Sequence, residues 1–447
     1  MQLSNIIQVG KLLNHPQLIP YIETLSRPIV TEIVRRSIDD YKQTLIREQG
    51  NVDLDDLLAI ILAELAIIAR EKTQPVINAT GILVHTNLGR APIDRTLWDK
   101  AGETVCRYSN LEFNLLNGKR GSRMGMLSRV IRAYFGGEDN VVVNNNAAAI
   151  HLILKTFAIG KEVIVSRGEQ VQIGGGFRIP EILAESGAIL KDVGTTNITT
   201  LDDYLNAITD NTAMVLLVHQ SNYYIEGFTE QVDPKALRDA LPDHVMLVVD
   251  QGSGNQSPHL IGETTVSYYE KLGVDLIAFS GDKMVGGPQA GIIIGKAQYI
   301  QKIQKHPMMR VFRPGKETYA LLENLLLTQM NDKHSTVNRA AWTIAQPLNQ
   351  HKALADKIAE QTHGRTRVIQ TEYLVGGGTT PRATYPTYAL AIDHPRPADE
   401  LLAHLRAQTP PIIGVIQQGR VVLYPVSLLP SEYDYVARTL AELKDEL

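Results

Sequence analysis

The apolar positions in the first part of the chain recur every three or four residues, with charged residues between them. The pattern is carried by Ile29, Ile33, Ile38, Leu57, Ile60, Ile61 and Leu65. This period is typical of amphipathic α-helices and not of strands. Gln49, Gly50 and Asn51 interrupt it, and the carboxylates of Asp53 and Asp55 suit the start of a later helix. The pattern predicts a helical N-terminal domain over residues 1–72.

After residue 76 the pattern changes to short apolar runs that alternate with amphipathic segments. The runs are VVVNN at 141–145, EVIVS at 162–166, AMVLLVH at 213–219, VMLVVD at 245–250, DLIAFSG at 275–281 and AGIIIG at 290–295. Runs of this length between helical patterns are typical of parallel strands that are covered on both faces. They predict a large α/β domain with a mainly parallel sheet over residues 73–315.

The last part of the chain mixes both patterns. The segment ETYALLENLLLTQM, which follows Lys316, predicts a long linker helix. YPTYALAID and RVVLYPV then predict strands that interleave with helices. We therefore expect a linker helix and a small α+β C-terminal domain over residues 316–447.

Composition narrows the class of protein. The 447 residues are 44% hydrophobic and 21% charged, with a formal net charge of −4, as in ordinary globular proteins. This balance gives no argument for nucleic-acid binding. The single cysteine, Cys106, excludes an intramolecular disulfide and fits a reducing compartment. The 12 histidines show no metal-ligand spacing, so no metal site is expected.

The beginning of the chain does not resemble a signal peptide. It has no continuous apolar run and no small-residue cleavage site. The most apolar stretch, residues 57–69, is interrupted by Glu64 and is too short to span a bilayer. We expect a cytoplasmic protein without a membrane segment.

The first candidate for chemistry is the segment VVVNNNAAA, which runs from a strand into a helix. The amides and small side chains of Asn145, Asn146 and Ala147 let backbone N–H groups approach an anion at the helix N-terminus. A phosphate group fits this position. A polar turn without function is the alternative.

Two strand ends supply further candidates. Asp250 closes the run VMLVVD, on the edge of a parallel sheet where ligands bind, although such aspartates also cap helices. Lys283 follows Ser280 in a glycine-rich turn after DLIAFSG, where partial desolvation lowers its pKa and makes its amine a nucleophile towards an aldehyde. His219 ends the strand between the phosphate cradle and Asp250; a structural, hydrogen-bonded histidine is the alternative.

A phosphate cradle, then an aspartate, then a lysine is the order found in pyridoxal phosphate enzymes of the aspartate-aminotransferase-like group, or fold type I. There the lysine holds the cofactor as a Schiff base and the aspartate keeps the ring nitrogen protonated. We therefore expect pyridoxal 5′-phosphate as the cofactor. The residues expected to contact it are Lys283, Asp250, Asn145, Asn146, Ala147, His219 and Ser280.

Long segments of the chain resemble the bacterial selenocysteine synthase family, the L-seryl-tRNA(Sec) selenium transferases. They include VINATGILVHTNLGRAPI at 76–93, YSNLEFNLLNGKRGSR at 108–123, GGGFRIPEI at 174–182, FSGDKMVGGPQAGIIIGK at 279–296 and PPIIGVI at 410–416. The resemblance implies that Lys283 is catalytic. It would remove the Cα proton of a seryl group bound to the cofactor, so that the hydroxyl leaves. Selenophosphate would then add to the aminoacrylyl-tRNA intermediate to give selenocysteinyl-tRNA(Sec).

The resemblance also implies partners. Three arginines of the family bind selenophosphate and match Arg90, Arg310 and Arg313 here; planar guanidinium groups suit phosphate oxygens. The helical N-terminal domain of the family contacts seryl-tRNA(Sec). Family members form a ring-shaped homo-oligomer, a decamer built as a pentamer of dimers, with active sites at the dimer interfaces.

The sequence departs from the family pattern at five positions, namely Gln172, Ile198, Tyr224, Gln251 and Val415. None is Lys283, Asp250 or one of the three arginines. Arginine is usual at 198 and 415, so its loss leaves open a divergent paralogue. The alternative function is a pyridoxal phosphate-dependent lyase or β-replacement enzyme that acts on a small amino acid. A catalytically silent tRNA-binding protein is disfavoured because Lys283 and Asp250 are present.

Overall fold

A computed structural model of the chain describes residues 9–48, 53–170, 172–173, 176–220, 223–332, 334–380 and 382–444. The chain forms two compact units, Met1–Val76 and Ile77–Leu447. Each unit is built around its own apolar core, so each is described by itself.

The first unit is helical, as the sequence pattern predicts. Its helices are α1 (Val9–Leu12), α2 (Ile19–Leu25), α3 (Arg27–Glu48) and α4 (Leu54–Glu71). Val30, Ile33 and Val34 of α3 pack with Leu57 and Ile61 of α4 in one core. The Asp53 carboxylate caps α4 by accepting from the N–H groups at 55 and 56. The predicted break at 49–51 lies outside the described residues.

Two residues of the predicted apolar stripe do not join this core. Ile29 is 43% exposed and Ile60 is 47% exposed. The three-to-four residue period of the sequence does not separate these exposed positions from the buried ones.

The second unit alternates strands and helices through its first part. In chain order these are β1 (Ile77–Asn78), β2 (Ile82–Val84), α5 (Arg95–Val105), β3 (Phe113–Asn114), β4 (Lys119–Arg120), α6 (Gly125–Phe135), β5 (Asp139–Val143), α7 (Asn146–Phe157), β6 (Glu162–Ser166), β7 (Gln172–Ile173), β8 (Phe177–Arg178), α8 (Ile179–Ser186), β9 (Ile189–Val193), α9 (Leu201–Leu205), β10 (Thr212–Val218), α10 (Pro234–Ala240), β11 (Met246–Gly252), α11 (Val266–Lys271), β12 (Leu276–Ser280) and β13 (Gly291–Gly295).

Helices are more frequent in the remainder of the second unit. The elements are α12 (Ala297–Lys305), α13 (Lys316–Asn331), α14 (Arg339–Ile344), α15 (Leu348–Glu360), β14 (Thr366–Gly376), β15 (Thr384–Ile392), α16 (Ala398–Arg406), β16 (Ile412–Ile413), β17 (Val415–Gln417), β18 (Arg420–Leu423) and α17 (Tyr433–Ala441). The predicted linker helix is α13, and its leucines Leu322 and Leu325 pack into the core beside the large sheet.

The large sheet has seven strands in the order β5-β13-β12-β11-β10-β6-β9. Strand β13 is antiparallel to both neighbours, and the pairs from β12 to β9 are parallel. The prediction of a mainly parallel sheet is confirmed. All six predicted apolar runs form strands, whereas β9 was missed because this edge strand contains Lys191 and Asp192 and lacks a continuous apolar run.

Alternate residues of the central strands enter different cores. Leu217 and Val249 belong to the cluster on one face of the sheet, and Leu216 and Val248 to the cluster on the other. Both faces are therefore buried, which explains why these strands read as continuous apolar runs.

A second sheet of five strands has the order β17-β18-β15-β14-β2. Strand β2 pairs in parallel with β14, and β1 pairs in parallel with β16. Residues 77–84 therefore lie with C-terminal strands, although the sequence placed them in the large domain of residues 73–315. These strands are two and three residues long, and such short strands carry no periodicity that reveals their partner.

No helix among the described residues is long and apolar enough to cross a membrane.

Candidate active site

Lys283 lies in a tight turn after strand β12. The turn is held by bonds from the Gly281 N–H to the Ala290 carbonyl (2.8 Å) and from the Met284 N–H to the Ser253 carbonyl (2.9 Å). Ser280 ends β12 and is 5% exposed. The backbone of Gly378 lies against the lysine: a Cβ there would come within 2.7 Å of Lys283 Cε and closer still to Nζ.

The surroundings of Lys283 lower its pKa. Burial is the largest cause, and the nearby charge of Arg90 acts in the same direction. The carboxyl groups of Asp250, Asp282 and Glu263 oppose this shift. An amine in these surroundings is more readily neutral than an exposed lysine, and a neutral amine is both nucleophile and base.

Asp250 lies on β11 with 9% of its surface exposed. Asn146 Nδ2 donates to its Oδ1 at 2.7 Å. Burial raises the pKa of Asp250 to about 6, although the Asn146 bond and the charge of Lys283 both lower it. Because this pKa is still below 7, the carboxyl group is mostly ionised at neutral pH and can pair with a cation.

His219 follows directly after strand β10. Its backbone N–H donates to the Asp250 carbonyl at 3.0 Å, which places the two strand ends side by side. Burial, and to a lesser extent the charge of Lys283, lowers the pKa of His219 to about 4. Its buried Nδ1 has no hydrogen-bond partner among the described residues.

The N-terminus of helix α7 completes this group. Asn145 is the N-cap, and its side chain accepts from the Ala148 N–H at 2.8 Å. Asn146 and Ala147 form the start of the first turn. Gly291 lies close by, since a Cβ there would overlap the Asn145 carbonyl.

These residues fit pyridoxal 5′-phosphate. The first turn of α7 suits the phosphate, Asp250 suits the ring nitrogen, and Lys283 suits the aldehyde. The buried Asn146 Oδ1 and His219 Nδ1, which lack partners within the described parts of the chain, are polar atoms that a bound group can satisfy. The residues that the sequence predicted for the cofactor thus converge on one edge of the sheet.

Arg90 belongs to the same neighbourhood. Its Nη1 pairs with Asp282 Oδ2 at 2.6 Å, next to Lys283 in the chain. Arg90 has a φ of +66°, a left-handed conformation that is uncommon for residues other than glycine. The contact of the Ala91 N–H with the Asp282 carbonyl (3.2 Å) holds this backbone turn in place.

Arg310 and Arg313 line a cavity of about 540 Å³ together with Arg123 and Tyr319. Glu112 lies 3.7 Å from Arg313 and also pairs with Arg123. The segment that carries both arginines contacts the chain just before helix α7. There the Asn144 N–H donates to the Phe312 carbonyl at 3.0 Å. Arg90 is not among the described residues that line this cavity.

A buried polar network that the sequence pattern does not predict lies next to Asp250. Gln251 donates to Glu263 at 2.7 Å and to Ser253 at 3.0 Å, and it accepts from the Gly254 N–H at 2.6 Å. Burial raises the pKa of Glu263 to about 7. The only signal in the sequence was the unusual glutamine at 251.

The other departures from the family pattern lie away from this network. Tyr224 lies under the Arg382 guanidinium, 3.4 Å from the ring centroid. Gln172 accepts from Arg178 at 2.8 Å. Ile198 forms an isolated bridge with Glu230, and Val415 begins β17.

Known proteins of one family resemble the chain over most of its length. Residues 76–428 match the family model described as L-seryl-tRNA selenium transferase, and residues 8–41 match the one described as selenocysteine synthase N terminal. The chain is 40% identical to the L-seryl-tRNA(Sec) selenium transferase of Solidesulfovibrio magneticus, over 93% of this chain and 92% of that protein. For the corresponding protein of Aquifex aeolicus the identity is 38%, over 93% and 94%.

A solved structure supports the fold alone. The chain resembles a D-glucosaminate-6-phosphate ammonia-lyase with a TM-score of 0.60 and 18% sequence identity, over 84% of this chain and 97% of that one.

Proposed function

The chain belongs to the L-seryl-tRNA selenium transferase family, and from this premise we propose that its Lys283 site converts seryl-tRNA(Sec) to selenocysteinyl-tRNA(Sec). The observation that carries the proposal is the convergence of Lys283, Asp250, Asn146 and His219 at one sheet edge, in a chain that matches family members over nearly its whole length.

The cofactor is pyridoxal 5′-phosphate. When bound, it holds the amino group of serine and withdraws electrons from Cα, which makes the α proton acidic and lets the β hydroxyl leave. Lys283, Asp250, His219, Ser280 and the start of α7 are the residues proposed to hold it. Asn146 donates to one oxygen of Asp250 and would thereby position the carboxylate for the ring nitrogen.

Lys283 is proposed as the base that takes the α proton at Nζ. Its lowered pKa favours the neutral amine that this role requires. The Arg90 charge contributes to this shift, and the Arg90–Asp282 pair keeps that charge close to the amine. Removal of Arg90 is therefore expected to affect both the base and the binding of an anion.

Selenophosphate is proposed to bind to Arg90, Arg310 and Arg313. Arg313 is held 3.7 Å from Glu112, and Arg90 lies 2.6 Å from Asp282. An entering anion would compete with these two carboxylates for the guanidinium groups. The donor site is thus proposed to form as the two ion pairs rearrange.

The helical first unit is proposed to contact the tRNA, because its residues 8–41 match the N-terminal family model. Because the proposed substrate is an aminoacyl-tRNA, we propose that the protein acts in the cytoplasm.

The protein is further proposed to form a homo-oligomer, a pentamer of dimers. Support comes from the segment around β3 and β4, where Leu115 is 72% exposed and Leu116 is 98% exposed, because such exposed apolar side chains mark contact surfaces.

The test of function compares three substrates on the cofactor-loaded protein: seryl-tRNA(Sec), seryl-tRNA(Ser) and free serine, each with selenophosphate. We expect product from seryl-tRNA(Sec) alone, measured as selenium incorporated into the aminoacyl group. Lys283→Ala should abolish product and also the covalent link to the cofactor, seen by mass spectrometry after borohydride reduction. Lys302→Ala, which changes an exposed lysine on α12, is the matched control.

Turnover of free serine and of neither seryl-tRNA would overturn the proposal in favour of a small-molecule lyase. A covalent link that persists in Lys283→Ala would refute the lysine assignment.

A further inference from the structure

A cavity of about 610 Å³ borders the Lys283 site. His219 and Gln220 line it from the end of β10, and Thr379 and Thr380 line it from the loop between β14 and β15. Its volume is within the ~300–1,000 Å³ range of sites that bind small organic molecules. One wall, His219, is shared with the proposed cofactor site, and the other lining residues have no role in the proposed function.

Two walls of the cavity adjoin Lys283. His219 is close enough for the lysine charge to lower its pKa. Thr379 directly follows Gly378, whose backbone lies against the lysine side chain. One molecule can therefore occupy the cavity with one part and place an amino acid at Lys283 with another.

The walls combine aromatic rings with hydrogen-bonding groups. Tyr223, Tyr224 and Tyr269 contribute rings, and the Arg382 guanidinium stacks over Tyr224 at 3.4 Å. Aromatic rings and arginine planes are the surfaces on which proteins stack unpaired nucleobases. The cavity is therefore suited to a flat heterocycle.

Polar groups in the cavity are available to such a heterocycle. The buried Thr380 Oγ1 has no hydrogen-bond partner among the described residues. Glu169 accepts from the Val218 N–H at 2.9 Å, and burial raises the pKa of its carboxyl group to about 8. At neutral pH this group is largely protonated and can donate one hydrogen bond to a ring nitrogen.

We propose that this cavity binds the 3′-terminal nucleoside of the aminoacyl-tRNA, the adenosine whose ribose carries the seryl ester. The inference rests on the proposed function, since a seryl-tRNA carries serine as an ester on the ribose of its 3′-terminal adenosine. Serine at Lys283 leaves the ribose one ester bond away, at the border formed by His219 and Thr379. A free amino acid would leave the cavity empty.

The first experiment uses the cofactor-loaded full chain and two ligands. One is serine joined by an amide to 3′-amino-3′-deoxyadenosine, and the other is serinamide. We expect calorimetry to show at least tenfold tighter binding of the nucleoside conjugate, the effect of about one base-stacking contact. Equal affinities would overturn the proposal.

Variants then locate the binding site. Tyr224→Ala removes a ring that is 49% exposed, so the core stays intact. Thr380→Val removes the unpartnered hydroxyl at nearly constant volume. Each should weaken binding of the conjugate several-fold and leave serinamide binding unchanged. Phe228→Ala, which removes a 93% exposed ring outside the cavity's described lining, is the matched control and should change neither.

Conjugate binding that is unchanged in both variants would refute this cavity as the nucleoside site. That failure is distinguishable from failure of the proposed function. The wild-type protein would still convert seryl-tRNA(Sec) in the first case, and would convert no seryl-tRNA in the second.

Discussion

The amine of Lys283 lies against the backbone of a glycine, Gly378. Gly378 has a φ of +78°, and Gly419, in the turn between β17 and β18, has a φ of +76°. A Cβ at Gly378 would overlap Lys283, whereas a Cβ at Gly419 would meet nothing within 4 Å. Substitution of each glycine therefore distinguishes the effect of backbone strain, which both positions share, from that of overlap with Lys283, which occurs only at Gly378.

Gly378→Ala is expected to reduce the cofactor content of the protein, because the new methyl group displaces Lys283 Nζ. Both Gly378→Ala and Gly419→Ala should lose about 1 kcal/mol of stability from the left-handed backbone. Cofactor content after dialysis, measured by absorbance, should fall only in Gly378→Ala. Equal cofactor content in the two variants would contradict the close contact with Lys283.

Glu263 provides a pH-dependent test of the network beside Asp250. Folding raises its pKa from 4.5 to about 7, so its contribution to stability is present below pH 4.5 and is lost as pH rises through 7. Glu263→Gln keeps the acceptor for Gln251 and Ser253 but cannot ionise. The variant should therefore gain stability relative to wild type between pH 5 and 8, by at most about 3 kcal/mol.

Denaturant unfolding at the two pH values measures this gain. Glu360→Gln, at an exposed glutamate near the end of α15, is the control and should show no such change. If Glu263→Gln follows the pH dependence of wild type, the carboxyl group does not titrate as the buried network implies.

At the scale of elements, helix α7 is expected to serve both the fold and the cofactor. The Asn145 cap satisfies the Ala148 N–H, and the same helix start is proposed to bind the phosphate. In the first unit, the Asp53 cap of α4 makes the equivalent bonds and has no proposed role in cofactor binding. The two caps therefore allow capping to be measured with and without cofactor binding.

Asn145→Ala and Asp53→Ala should each cost about 1 kcal/mol of stability through loss of a cap. Only Asn145→Ala should also weaken cofactor binding, measured by titrating pyridoxal 5′-phosphate into cofactor-free protein. The phosphate assignment would be wrong if cofactor affinity stayed at the wild-type value in Asn145→Ala.

At the scale of the whole molecule, the exposed apolar side chains between β3 and β4 bear on assembly. Leu116→Asp should lower the mass of the oligomer in light scattering, because a carboxylate cannot be buried without a partner at an apolar contact. Ile159→Asp changes a residue that is 61% exposed elsewhere in the second unit and is the control. An unchanged mass in Leu116→Asp would remove this segment from the proposed interface.

The sequence pattern alone predicts the helical first unit, the six apolar strands of the large sheet and the positions of Asp250, Lys283 and His219 at or near strand ends. Whether a helix or strand is buried on one face or on both sets the spacing of its apolar residues. That spacing can be recognised within a short segment of the sequence. Function could be predicted because long family segments surround these strand ends.

Which distant segments meet depends on how the whole chain folds. The fold paired residues 77–84 with C-terminal strands, brought Gly378 to Lys283, and placed Arg310 and Arg313 around one cavity while Arg90 pairs with Asp282. It also joined Gln251 to Glu263. Contacts of this kind depend on the path of the chain between elements and on the space left by packing, neither of which has a local period in the sequence.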